Sequence, residues 1–111
     1  MSSLQRAQGR FGLTVQNREG QTRCADLAQG GCCRLLFPRI ARSGLEAVTV
    51  NISGGIVAGD RIEGRIQCRE GTELVVTSQA AERIYRARPG ESAAQISVTC
   101  EIGADATLEW L

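Results

Sequence analysis

Nine residues, Ser53-Gly54-Gly55-Ile56-Val57-Ala58-Gly59-Asp60-Arg61, hold three glycines, a hydroxyl, a carboxylate and a guanidinium. Such a loop has three chemical uses: a phosphate cradle, a metal-binding loop, or a corner whose backbone needs conformations closed to other residues. Gly54 and Gly59 have the Gly-x-x-x-x-Gly spacing of a phosphate loop, but Asp60 follows where that loop places a lysine. A carboxylate there repels phosphate. A dinucleotide-binding turn would open a helix, whereas here the chain runs straight into the alternating stretch that begins at Arg61. There remains a wide turn or bulged corner, with the glycines supplying positive φ and Asp60 accepting hydrogen bonds from nearby backbone amides.

The other reactive side chains are cysteines. Cys24, Cys32, Cys33, Cys68 and Cys100 make an odd total, no two have Cys-x-x-Cys spacing, and the opening Met1 to Gly12 lacks the apolar core of a secretory signal. The expectation is a reduced, cytoplasmic protein with cysteines serving as small buried apolar residues. All 13 basic residues are arginine and there is no histidine, which removes the commonest metal ligand and the usual general base near neutral pH. Triads built on histidine are therefore excluded within this chain. With 12 acidic residues the formal charge is +1, so the overall balance asks for neither nucleic acid nor an anionic membrane. No apolar run has the length of a membrane span.

The elements that must position these residues are strands. At 111 residues the chain has room for one modest core. Period-two alternation runs through Glu46 to Ser53, Arg61 to Cys68 and Gln95 to Ile102, with Val48, Val50 and Ile52, then Ile62, Ile66 and Cys68, then Ile96, Val98, Cys100 and Ile102 forming the apolar faces. Further strands are expected at Phe11 to Asn17, Thr22 to Leu27, Cys32 to Phe37, Glu73 to Ser78 and Thr107 to Leu111, with turns at 18–21, 28–31 and 69–72. The segment from Ser78 to Gly90 reads equally as a short helix or a bulged strand. Ile66 to Val76 and Val98 to Leu108 match at an offset of 32, pairing Cys68 with Cys100 and Gly71 with Gly103, a hint of layered strands. The expected fold class is all-β, with stacked antiparallel or mixed strands in a β-helix-like or β-sandwich-like arrangement. Ala106 to Leu111 ends on alternating apolar residues, which reads as an incomplete fragment of a longer domain.

Several of these segments together resemble the N-terminal part of the urease accessory protein UreD, or UreH, family. They are the strand into Ser-Gly-Gly-x-x-x-Gly-Asp at 53–60, Thr77-Ser78-Gln79-Ala80-Ala81 leading to Tyr85-Arg86, Leu108-Glu109-Trp110-Leu111, and the opening Gly9 to Leu27. Two departures stand out: Ala58 occupies a position where the family commonly has glycine, and the family runs to more than twice this length.

The resemblance implies a scaffold rather than an enzyme, helix-poor and built of stacked strands, that assists nickel insertion into the urease apoprotein in a complex with the accessory proteins UreF and UreG. It implies no tightly bound cofactor, with nickel at most a transient passenger. Borderline metals favour imidazole or thiolate ligands in close array, and scattered carboxylates such as Asp60 and Glu63 give only exchangeable contacts. Residues matching the family pattern, and so expected at a partner surface or nickel passage, are Ser53, Gly54, Gly55, Gly59, Asp60, Arg61, Gln79, Tyr85 and Arg86. Two other classes stay open, a carbohydrate-binding β-solenoid and a cysteine hydrolase. Few aromatic residues disfavour the first, and the missing histidine disfavours the second.

Overall fold

The computed structural model describes residues 8–31, 33–38, 44–51, 61–78 and 95–111. Within them lie eight strands and no helix: β1 Gln8–Arg18, β2 Gln21–Gly31, β3 Cys33–Leu36, β4 Leu45–Asn51, β5 Arg61–Cys68, β6 Glu73–Ser78, β7 Gln95–Ile102 and β8 Thr107–Trp110. They form two four-stranded sheets, ordered β2-β1-β5-β7 and β3-β4-β6-β8. Both sheets repeat one pattern. A first pair is antiparallel, β1 with β2 and β3 with β4, and each later strand is added in parallel.

From β4 onward successive strands alternate between the sheets, so parallel neighbours are joined through a strand of the opposite layer. Arg61 pairs with Gln95 and Glu73 with Thr107, so the two sheets advance along the chain by the same step. The layered repeat expected from sequence is present, but Cys68 pairs with Ile102 rather than Cys100, which makes the step longer than the sequence match implied. The corners show why. The left-handed residue of the 69–72 corner is Gly71, φ 70°, and its counterpart one step on is Asp105, φ 56°, not Gly103. Asparagine and aspartate tolerate this conformation better than most side chains, so a glycine-to-glycine match points to the wrong step.

Backbone hydrogen bonds stack one corner on the next. The amide of Arg69 donates to the Val15 carbonyl at 3.1 Å, that of Gly103 to Cys68 at 2.8 Å, and that of Gly71 to Ala104 at 3.0 Å. The Asn17 side chain fastens the β1–β2 hairpin to this stack: its Nδ2 donates to the Gly71 carbonyl at 2.9 Å, and its Oδ1 accepts from the Gly20 amide at 3.0 Å. Between the sheets, the buried Thr22 hydroxyl accepts from the Glu73 amide at 2.9 Å. A buried donor left without that partner costs about 1–3 kcal/mol.

The core lies between the layers. Phe11, Leu13, Val15, Ile62, Ile66 and Cys68 come from one sheet, and Cys33, Leu35, Ala47, Leu74 and Val76 from the other. The β5 alternation is borne out residue by residue, because Ile62, Ile66 and Cys68 are buried while Arg61, Glu63, Arg65 and Gln67 are exposed. In β4 the face is reversed: Ala47, in register with the fully buried Val76, points to the core, and Val48 and Val50 are half-buried on the other side. In β7 every residue is exposed, and among the described residues no further strand covers its apolar row.

The turn expected at 28–31 is strand through Gly31, and the change of sheet falls at that glycine, φ 63°. A Cβ on Gly31 would collide with the Gln8 carbonyl oxygen, whereas one on Gly20, φ 81°, would meet nothing within 4 Å. Both positions carry the left-handed penalty of roughly 1–2 kcal/mol for an ordinary residue. Only Gly31 adds a backbone clash. Gly31→Ala is therefore expected to lower the chemical-denaturation midpoint clearly more than Gly20→Ala, and equal losses would place the corner elsewhere.

Candidate functional site

Of the nine residues expected at a site, the described structure contains one, Arg61; Ser53, Gly54, Gly55, Gly59, Asp60, Gln79, Tyr85 and Arg86 lie outside the described residues, as does the segment read as helix or bulged strand. Arg61 opens β5, on the outer face of its sheet. Registration with β1 sets Arg61 opposite Gln8 and Glu63 opposite Arg10, so two guanidiniums and one carboxylate stand on neighbouring strands. Alternation sends all three outward while Ile62 and Phe11 point to the core.

Around them is a cleft of about 370 Å³ whose floor includes Gly9, Gly30 and Gly31. Glycine matters here because Arg10 lies across Gly30, where an added Cβ would come within 3.3 Å of its Nε. Small residues and an exposed arginine pair give a shallow, basic-edged recess. Guanidinium forks match carboxylates with paired hydrogen bonds, so such a recess suits an acidic group of a protein partner. Sequence reasoning reached Arg61 and noted Glu63, but missed Arg10. Only the parallel pairing of β1 with β5 brings Arg10 alongside them, and alternation within one strand carries no trace of that pairing.

A second recess, about 460 Å³, lies at the hairpin end between Gln16, Arg18, Glu19, Gln21, Arg23 and Cys24. Among the described residues no group of three or more His, Cys, Asp or Glu side chains is placed to hold a metal ion. Of the four described cysteines, Cys33 and Cys68 are buried and Cys24 and Cys100 exposed. Two of them fit the expectation of buried apolar use, and two do not. Burial raises the Cys68 thiol above its ordinary value, against a hydrogen bond with Thr72 that lowers it, and the nearby Cys100 adds to the rise. Desolvation also raises Cys24.

Comparison with known proteins gives this geometry its context. The family model described as UreD urease accessory protein matches residues 7–111. The chain belongs to the UreD urease accessory protein family. A urease accessory protein UreD of Chelativorans sp. (strain BNC1) is 42% identical over 108 residues, which cover 97% of this chain and 38% of that protein. The UreD of Rhizobium leguminosarum bv. viciae is 37% identical over 107 residues, 96% of this chain and 38% of the relative. That of Ruegeria pomeroyi is 47% identical over 85 residues, 77% of this chain and 33% of the relative. The chain thus spans under two-fifths of the length of these relatives. The UreD resemblance and the all-β fold read from sequence both hold. No helix among the described residues is long and apolar enough to cross a membrane.

The thiols of this UreD family member supply a pH test. A raised thiol pKa means the unfolded chain ionises Cys68 first; its contribution to stability is whole below the ordinary thiol range and is lost as pH rises through the folded value. Alkaline titration of the denaturation midpoint should therefore fall, and Cys68→Ala should flatten part of that fall. At neutral pH a thiol reagent should modify Cys100 well before Cys68. Equal rates would contradict the burial assigned to Cys68.

Proposed function

We propose that this chain is part of a non-catalytic scaffold for urease maturation, one that binds the urease apoprotein together with the accessory proteins UreF and UreG while nickel is inserted. The observation that carries the reading is the UreD family match across residues 7–111. The described residues are consistent with it: two sheets close a core between them, and one turns outward a polar face edged by Arg10, Arg61 and Glu63. Binding rather than turnover is what that face supports. Nickel is cargo in this scheme, held by weak oxygen contacts that release it readily, and no tightly bound cofactor is required. An odd number of cysteines without Cys-x-x-Cys spacing fits a reducing cytoplasm.

Partner binding rests on protein-protein contact at positions of the matched family pattern, Ser53, Gly54, Gly55, Gly59, Asp60, Arg61, Gln79, Tyr85 and Arg86. Asp60 separates two roles. As a corner residue it needs only an acceptor, which asparagine also offers. As a contact for nickel or for a partner arginine it needs its charge. The test uses a longer UreD protein carrying these 111 residues in its matched stretch, with urease activity and bound nickel read after co-expression. The corner role predicts that Asp60→Asn keeps activation while Asp60→Ala loses stability of about 1 kcal/mol and activation with it. Loss of activation in Asp60→Asn with unchanged soluble yield would show that the charge does the work. If neither the parent protein nor its variants capture urease apoprotein or raise its activity, the scaffold reading fails.

A further inference from the structure

Two thiols far apart in sequence stand on one face of one sheet. Residues in register across parallel strands share a face. Cys100 of β7 is in register with the buried Ile66 of β5, and Cys68 of β5 is in register with Ile102 of β7, so both cysteines belong to the core-side rows. They are diagonal neighbours, one strand across and two residues along. Strands about 4.8 Å apart with a rise of about 3.3 Å per residue set the two Cα atoms about 8 Å apart. A disulfide needs Cα atoms within about 7 Å, so this pair is too widely spaced to close one. The two thiols are still near enough for the charge of Cys100 to act on Cys68.

We propose that Cys68 and Cys100 form a two-thiolate site for a soft, thiophilic cation of the Cu(I) class. The spacing that excludes a disulfide suits an ion held between the sulfurs. A metal–thiolate bond is about 2.3 Å long, so two sulfurs facing each other across an ion stand up to about 4.6 Å apart. Cysteine side chains that lean toward each other along their strands close the diagonal to that distance. Thiolates select Cu(I), which two ligands satisfy, whereas Ni(II) favours tetragonal nitrogen and oxygen donors. Among the described residues no third His, Cys, Asp or Glu side chain joins the pair, which matches a two-coordinate ion and not a nickel centre. Cys68 lies buried beside the hydroxyl of the fully buried Thr72, while Cys100 is exposed and gives the ion its way in. On binding, the ion displaces both thiol protons to solvent.

The other described cysteines stand apart from this pair. Cys24 is in register with Val15, and Val15 with Cys68, so a whole strand and about 10 Å separate the thiols of Cys24 and Cys68. Cys33 lies in the other sheet, just beyond Gly31, whose partner Gly9 is at the opposite end of β1 from Val15.

The test titrates the chain with Cu(I) in the absence of oxygen, against bathocuproine disulfonate as competing chelator, in a background carrying Cys24→Ser and Cys32→Ser. The background chain should hold a single Cu(I) ion. Cys100→Ser, at an exposed position, should weaken that binding roughly a hundredfold or more, since loss of even an outer-shell partner costs about 10–100-fold. Cys100→Met keeps a soft sulfur and should fall between the two. Excess Ni(II) should leave the copper in place, and oxidised glutathione should not link Cys68 to Cys100. A background chain that holds no copper, or Cu(I) binding undiminished in Cys100→Ser, overturns the proposal. Displacement of the copper by nickel overturns it as well, and so does a Cys68–Cys100 disulfide found by mass spectrometry of a digest, because that would place the two sulfurs too close to hold an ion between them.

Discussion

The whole architecture depends on parallel strands held in register by hydrogen bonds that pass from one layer to the next, at the corners as well as along the sheets. The Gly103 amide on the Cys68 carbonyl and the Arg69 amide on that of Val15 lock the corners so that both sheets advance together. Because the step is shared, the inward rows of the two sheets stay opposed, and a core of aliphatic side chains with Phe11 closes between them. A slip of one residue in either sheet would turn its buried row out to water.

The same registration builds the outer surface. Thr14 meets Gln67 across β1 and β5, and Arg69 reaches back to Gln16. Further along the same pair Arg10 stands in register with Glu63, next to Arg61, at the basic-edged cleft. Core and surface are thus two faces of one constraint. The face that turns away from the core carries the charges, among them Arg10, Arg61, Glu63 and Arg65.

Much of this was legible in the sequence, and the failures have definite causes. Strand identity and the boundaries of β5, β6 and β7 followed from alternation, and the hairpin at Glu19-Gly20 followed from turn chemistry. Strand pairing did not, because parallel neighbours lie far apart in sequence and alternation within a strand carries no information about which strand lies beside it. Strand β4 misled because its larger residues, Val48 and Val50, are half-buried outside while Ala47 takes the core position beside Val76. Residues 28–31 looked like a turn from their glycines, yet only Gly31 bends, and it does so to carry the chain from one sheet to the other. For the site, Arg61 was reached through its motif and Arg10 was not, since its role comes from the neighbouring strand.

The step that sets Arg65 beside Thr99 is the element on which most else rests, and paired spin labels measure it directly. In a background without native cysteines, a label at Arg65 is combined in turn with labels at Ser97, Thr99 and Glu101, all exposed on the outer face of neighbouring strands. Dipolar broadening should be strongest for Arg65 with Thr99 and weaker, by similar amounts, for the other two. A maximum at Ser97 would restore the shorter step of the glycine-to-glycine match and contradict the register on which both the core and the cleft depend.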